Sequence, residues 1–211
     1  MKTILLTIAI GFSLIAKAND DKYIEAMSKN IETVYRSQTV DELQKAVNVF
    51  DRIASADKEK WEPLYYSAFG NIMIANLESD GSKKDGYLDL ALTSIVKAKT
   101  IKPNDSEIIA LEGFIHMMRV TVNPAARGQE YSSKAYESYQ KALAINPNNP
   151  RALALMAQME YGTAQFFKSP ITSACATNAK AIEKFEVDKP ESPLAPMWGK
   201  GMTEDLKTKC K

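Results

Sequence analysis

The chain has 211 residues, of which 45% are hydrophobic and 25% are charged. This length supports one domain with a sizeable core, and the composition excludes a disordered chain or a polytopic membrane protein. The formal net charge is only +1. Because affinity for a phosphate backbone comes mainly from clustered Lys and Arg, this balance argues against a nucleic-acid partner.

The first eighteen residues have the pattern of an export signal. Lys2 gives a basic start, residues 3–15 are apolar, and residues 16–18 read Ala-Lys-Ala, as signal peptidase requires. We predict a signal peptide over residues 1–18, removed after Ala18. An uncleaved anchor is the alternative, but this apolar run is shorter than the roughly 20 residues that cross a bilayer. Without it the formal charge becomes −1, and the mature chain is expected in the periplasm or outside the cell, without stable membrane insertion.

Two segments displaced by 44 residues match position for position. The matched residues are Ala91, Ile95, Ala98 and Pro103 in the first segment and Ala135, Tyr139, Ala142 and Pro147 in the second. Spacings of three and four residues put the first three members on one helix face, where alanine lets a neighbouring helix approach closely. The proline then ends the helix. Fainter copies begin at Ala46 and Ala181.

A second helical pattern follows each copy, with a small residue about eight positions in, at Ala68, Gly113 and Ala157. Together these residues resemble the tetratricopeptide repeat (TPR) family over roughly residues 40–187. The resemblance implies an all-α, right-handed α-solenoid of about four antiparallel helix pairs. The family repeat has about 34 residues, so the extra residues here imply longer helices and loops.

The predicted helices occupy residues 21–36, 39–56, 60–78, 86–101, 105–122, 130–145, 150–167 and 172–187. Loops are predicted at 79–86 and 123–128, because both segments carry Gly or Pro. The repeat domain is expected over residues 19–190. Residues 191–211 form a proline-rich tail, predicted to be extended with a short helix at 203–209.

The cysteines are Cys175 and Cys210. Export places them where disulfides persist, and their even number favours a bridge between the tail and the last helix pair. Two unpaired thiols are the alternative.

No catalytic constellation is recognisable in the sequence. His116 is the only histidine, and among apolar neighbours on a helix it is more typical of a packing residue than of a general base. A nucleophile–base couple of Cys175 and His116 would need a free thiol. We therefore predict that the chain is not an enzyme and binds neither a metal nor a cofactor.

The TPR resemblance implies that the first helix of each pair lines a concave face that binds a protein or peptide. The residues predicted for this face are Tyr65, Phe69, Met73, Phe114, Met117, Met118, Gln158 and Tyr161. They are mostly apolar, which suits an amphipathic helix or an extended segment. Two alternatives stay open: half of them belong to the core, or the segment 190–198 folds back and fills the groove.

The leading hypothesis is therefore a non-catalytic, periplasmic protein- or peptide-binding scaffold, with a role in envelope protein assembly. The alternative is a carbohydrate- or peptidoglycan-associated binding protein, in which Trp61 and Trp198 would stack on sugars. A hydrolase with dispersed carboxylates is less favoured.

Overall fold

The computed structural model describes residues 20–210, and the signal peptide predicted at 1–18 lies outside them. Nine helices make up the regular structure of the described part. Their bounds are α1 at 20–36, α2 Val40–Ala56, α3 Glu62–Leu77, α4 Gly81–Ile101, α5 Ser106–Val122, α6 Pro124–Ile145, α7 Pro150–Phe167, α8 Thr172–Val187 and α9 Lys200–Lys209. The prediction of an all-α helical repeat is confirmed.

The helices stack in pairs. α3 packs on α4, α5 on α6, and α7 on α8, while the first helices α3, α5 and α7 also contact one another in a row. None of the helices between residues 20 and 210 combines the length and the apolar character needed to span a membrane.

The repeated residues form the contact between the helices of a pair. Ala91, Ala98, Ala135 and Ala142 are fully buried. Gly113 of α5 lies so close to the ring of Tyr139 in α6 that a Cβ there would overlap it. The small residues therefore do what the sequence pattern predicts: they let paired helices approach closely.

The two predicted loops are wrong, because α4 and α6 begin earlier than expected. Asp80 caps α4 by accepting a hydrogen bond from the Lys83 amide, and Asn123 caps α6 by accepting one from the Ala126 amide. Pro124 occupies the first turn of α6, where its missing N–H is tolerated. Gly81 and Pro124 therefore mark the starts of helices and do not lie in loops. The extra length of the repeat lies in α4 and α6, which have 21 and 22 residues.

The tail folds back onto the helices and ends in α9. Gly199, with φ of +102°, turns the chain into α9, a left-handed conformation that glycine adopts without strain. This helix begins at Lys200, earlier than predicted. The predicted disulfide joins Cys175 of α8 to Cys210 after α9.

A buried ion pair fastens the start of the tail. Arg151 of α7 donates to Glu107 of α5 at 2.7 Å and to Asp188, just after α8, at 3.1 Å. The Arg151 side chain is only 6% exposed. The two bonds therefore hold α5, α7 and the end of α8 together, and the contact between Arg151 and Glu107 is shielded from water.

Candidate functional site

The concave residues predicted from the TPR resemblance divide into two groups. Tyr65, Phe69, Phe114 and Met118 are buried, each less than 8% exposed, and Met73 is half-buried against the core. Met117, Gln158 and Tyr161 instead line an open cleft. The buried group is not available to a partner while the tail is in place.

The tail fills the groove with its own indole ring. Trp198 stacks on Phe69 and Phe114, with ring centroids 5.0 Å and 5.9 Å apart. Its Nε1–H donates to the Tyr65 hydroxyl at 3.0 Å. Because the buried indole has two aromatic partners and an acceptor for its N–H, Trp198 occupies the groove as a bound ligand would.

Backbone hydrogen bonds fix the rest of the tail. The Tyr66 hydroxyl donates to the carbonyl of Leu194 at 2.8 Å, and the amide of Met197 donates to the Tyr35 hydroxyl at 3.1 Å. Leu194 is 2% exposed. Burial raises the pKa of both tyrosines, so they stay protonated.

The tryptophans named for sugar stacking are both engaged in the fold. Trp198 is buried in the groove. Trp61 is half-buried, with the Tyr65 ring against its edge and the Lys102 ammonium 4.7 Å from its ring centroid. Trp198 is therefore not accessible to a sugar ring, and Lys102 lies over the ring of Trp61.

The open cleft lies between the C-terminal end of α5, the N-terminal half of α6 and the C-terminal half of α7. Its volume is about 1160 Å³, at or above the upper end of the roughly 300–1000 Å³ typical of small-molecule sites. The lining consists of Met117, Val120 and Thr121 from α5, Pro124, Ala125, Gly128, Gln129, Ser132, Ser133 and Tyr136 from α6, and Gln158, Met159, Tyr161, Gly162, Thr163, Gln165, Phe166 and Phe167 from α7.

The cleft has an apolar mouth. Phe166 and Phe167 pack edge to face, with centroids 5.1 Å apart, yet are 58% and 70% exposed. Lys168 ends α7 in the left-handed conformation. Two adjacent, exposed phenylalanines beside a cavity are more typical of a binding surface than of a solvated helix end.

The polar groups of the cleft are hydroxyls and amides, without a charged side chain among them. Burial raises the pKa of the Tyr136 hydroxyl, so this group is a hydrogen-bond donor at neutral pH. Gln158 is tied to the tail, because its Nε2–H donates to the carbonyl of Met202 in α9 at 2.8 Å. The cleft is thus suited to binding and orienting an apolar ligand.

His116 stands outside this cleft. Its ring stacks on Tyr131 with centroids 6.2 Å apart, and its Nδ1 is buried without a hydrogen-bond partner. Burial is the main cause that lowers its pKa. Cys175 is bonded to Cys210, so the couple of Cys175 and His116 considered from the sequence has no free thiol.

The cations beside the cleft are paired within the chain. Arg119 bonds to both Asp85 and Asp89 of α4, and Arg127 of α6 bonds to Asp85 at 2.7 Å. The hydrogen bond from Arg127 lowers the pKa of Asp85. These contacts fasten the early turns of α6, which form one wall of the cleft.

A smaller and more polar cleft, of about 600 Å³, lies between α2, α3 and α4. Ser67 in its wall donates to Asp51 at 2.6 Å, and Asn71 donates to the Ser67 carbonyl at 2.9 Å. The side chains of Ser67 and Asn71 thus donate their hydrogen bonds to other groups of the chain.

Sequence reasoning found three residues of the open cleft and missed most of its lining. The α6 wall is not predicted, because the TPR resemblance implies a face lined by the first helix of each pair and the sequence predicts a loop at 123–128. The signal that identifies it is Asn123 followed by Pro124, a typical helix start. The adjacent Phe166 and Phe167 at a helix end are a second signal.

No family model matches the chain. In sequence it is 26% identical over 149 residues to a protein adenylyltransferase, fic-1, of Caenorhabditis briggsae, a match that covers 71% of this chain. The chain spans only 27% of that protein's length.

Two solved structures are similar in fold. The HusA haemophore from Porphyromonas gingivalis superposes with a TM-score of 0.80 and 28% identity, covering 90% of this chain and 92% of that one. A thermophilic TPR protein of Thermus thermophilus, TTC0263, gives a TM-score of 0.51 and 18% identity, with 85% and 90% covered. The chain is therefore a TPR-like helical repeat protein that is similar to a haemophore over nearly its whole length.

Proposed function

We propose that this chain is an exported, non-catalytic binding protein that carries a flat, apolar ligand of the porphyrin class in the cleft between α5, α6 and α7. The observation that carries the proposal is the cleft itself, about 1160 Å³ in volume and lined mainly by apolar and aromatic side chains. The likeness to a haemophore at 28% identity supports the choice of ligand class.

The shape and chemistry of a porphyrin fit this cleft. The macrocycle is a rigid plate with two apolar faces, so its burial removes a large apolar area from water without ordering a flexible ligand. Met159 and Val120 offer apolar contacts, Tyr136 offers a hydroxyl, and the exposed pair Phe166 and Phe167 can cover a ring edge. The faces of the ring, rather than its metal, would provide most of the affinity.

Export is part of the proposal. The segment 1–18 has the pattern of a signal peptide, and the disulfide between Cys175 and Cys210 is of a kind that persists in oxidising compartments.

Absorbance titration of the chain from residue 19 onward tests the proposal. Haem and iron-free protoporphyrin IX are expected to bind saturably, with affinities within about tenfold of each other. A blocking variant is Gly162→Trp, because a side chain at Gly162 meets open space in the cleft. The matched control is Gly86→Trp, another helical glycine with nothing within 4 Å of its Cβ position.

Binding should fall at least about tenfold in Gly162→Trp and stay unchanged in Gly86→Trp. Absence of saturable binding by either porphyrin, or equal binding by the two variants, contradicts the proposal.

A protein or peptide partner is the second candidate, favoured by the exposed Phe166 and Phe167 at an open cleft. An apolar helix or extended segment could bind there through the same residues. Porphyrin titration separates the two candidates. If the cleft binds only a protein or peptide, titration should give no saturable change in the Soret absorbance of the porphyrin. A role in envelope protein assembly remains a hypothesis of this second reading.

A further inference from the structure

The lining of the cleft is uncharged. Among residues 20–210, the side chains that line it are aliphatic, thioether, aromatic, hydroxyl or amide groups. Ser132, Tyr136 and Gln129 of α6 can hydrogen-bond to a polar ligand edge, but they cannot neutralise a carboxylate. A carboxylate drawn into the cleft would lose its hydration without gaining a cation.

Apart from the exposed Lys168, the cations close to the cleft are paired within the chain. Arg119 and Arg127 share Asp85, and the side chain of Arg119 is only 10% exposed. Lys134 pairs with Glu130 one turn away at 2.6 Å. Turning Arg119 toward a ligand would leave Asp89 without this cation, and turning Arg127 would release the α6 contact with Asp85 of α4.

At the end of the cleft formed by the last residues of α7, a charged ligand edge would stay in water. Phe166 and Phe167 are exposed there, and the exposed Lys168 follows them directly. A ring with its carboxylates on one edge can lie between the apolar walls while that edge stays hydrated at the mouth. A ring with carboxylates on every edge has no such orientation.

We propose that the cleft selects porphyrins by the number and placement of their carboxylates. It binds dicarboxylic porphyrins whose acidic groups share one edge and rejects porphyrins with carboxylates all round the ring. This inference rests on the function proposed above and adds the ligand subclass that the cleft recognises.

Titration with three iron-free porphyrins at one pH and ionic strength tests the selection. Protoporphyrin IX, with one acidic edge, is expected to bind most tightly, coproporphyrin less tightly, and uroporphyrin more weakly than protoporphyrin IX by at least about 100-fold. Equal affinities for all three overturn the inference and leave the proposed function standing. Failure of all three to bind overturns the proposed function instead.

A variant with a cation in the lining tests whether the charge of the porphyrin, rather than its size, causes the difference in affinity. Gln129→Lys adds an ammonium to the α6 wall. It is expected to narrow the gap in affinity between protoporphyrin IX and uroporphyrin by about tenfold. Gln44→Lys is the matched control, since Gln44 lies in the other cleft, and it should leave the gap unchanged. An unchanged gap in Gln129→Lys, or equal narrowing in both variants, overturns the inference.

Discussion

The indole N–H of Trp198 donates to the hydroxyl of Tyr65 across 133 residues of sequence. This bond places the tail against the middle of the helical stack and closes the face that TPR-like proteins would be expected to offer to a peptide. The free surface is thereby shifted to the cleft between α5, α6 and α7.

Trp198→Ala should lower the free energy of unfolding by about 3–5 kcal/mol, because it removes a buried indole that stacks with Phe69 and Phe114. Chemical denaturation measures the effect. Met197→Ala is the control: Met197 is 65% exposed, and the change should stay within about 0.5 kcal/mol. Similar losses of unfolding free energy in the two variants would show that the Trp198 indole does not stabilise the packing of the tail.

Removing the disulfide should destabilise the chain. The double variant Cys175→Ser, Cys210→Ser opens a loop that spans 35 residues and should lose about 2–4 kcal/mol, because the unfolded chain gains conformational freedom. Denaturation of the original chain with a reductant should reach the stability of the double variant. A reductant effect on the double variant itself would contradict this explanation.

Arg151→Met should cost about 3–5 kcal/mol, since it leaves the buried Glu107 without its cation. The matched control is Arg36→Met, which breaks an exposed pair with Glu32 one turn away and should cost at most about 0.5 kcal/mol. The measurement is again denaturant unfolding. Equal costs would mean that burial of the pair does not matter.

His116 should make stability depend on pH. Burial lowers its pKa, Glu112 opposes this, and Lys134, Arg119 and Lys99 lower it further. The folded chain then binds this proton less readily than the unfolded chain, so stability is complete above the ordinary pKa of about 6.5 and is lost as pH falls below it.

Between about pH 7 and pH 5 the original chain should lose more stability than His116→Gln, by on the order of 1 kcal/mol or less. Thermal melting at both pH values measures the difference. Parallel losses in the two proteins would remove His116 as the cause.

Phe166→Ala combined with Phe167→Ala should weaken porphyrin binding by about tenfold, because both rings stand at the mouth of the cleft. Their exposure of 58% and 70% means that the unfolding free energy should change by less than about 1 kcal/mol. Unchanged affinity would place the ligand elsewhere.

Local patterns were sufficient to predict the helices and their pairing. The spacing of Ala91, Ile95 and Ala98, repeated 44 residues later, depends only on helix geometry and on close packing between neighbours. Thr39, where the second helix is predicted to begin, is the N-cap of α2. The cysteine count and the export signal predicted the disulfide from composition and compartment alone.

The starts of α4 and α6 differ from the predicted ones for a reason that lies in the neighbouring residues. Gly81 and Pro124 are helix breakers in the interior but are tolerated in a first turn behind a capping Asp80 or Asn123. Only the position of the breaker, directly after a capping residue, distinguishes a helix start from an interrupted helix.

The sequence by itself determined that the chain is an all-helical repeat with close-packed pairs, because those features follow from contacts between near neighbours. Only the tertiary structure decided which apolar residues are free. Trp198 reaches Phe69 and Phe114 from the far end of the chain, and the apolar character of these rings is the same whether a partner or the chain's own tail covers them. Periodicity identifies an apolar face, whereas long-range packing determines what lies on it.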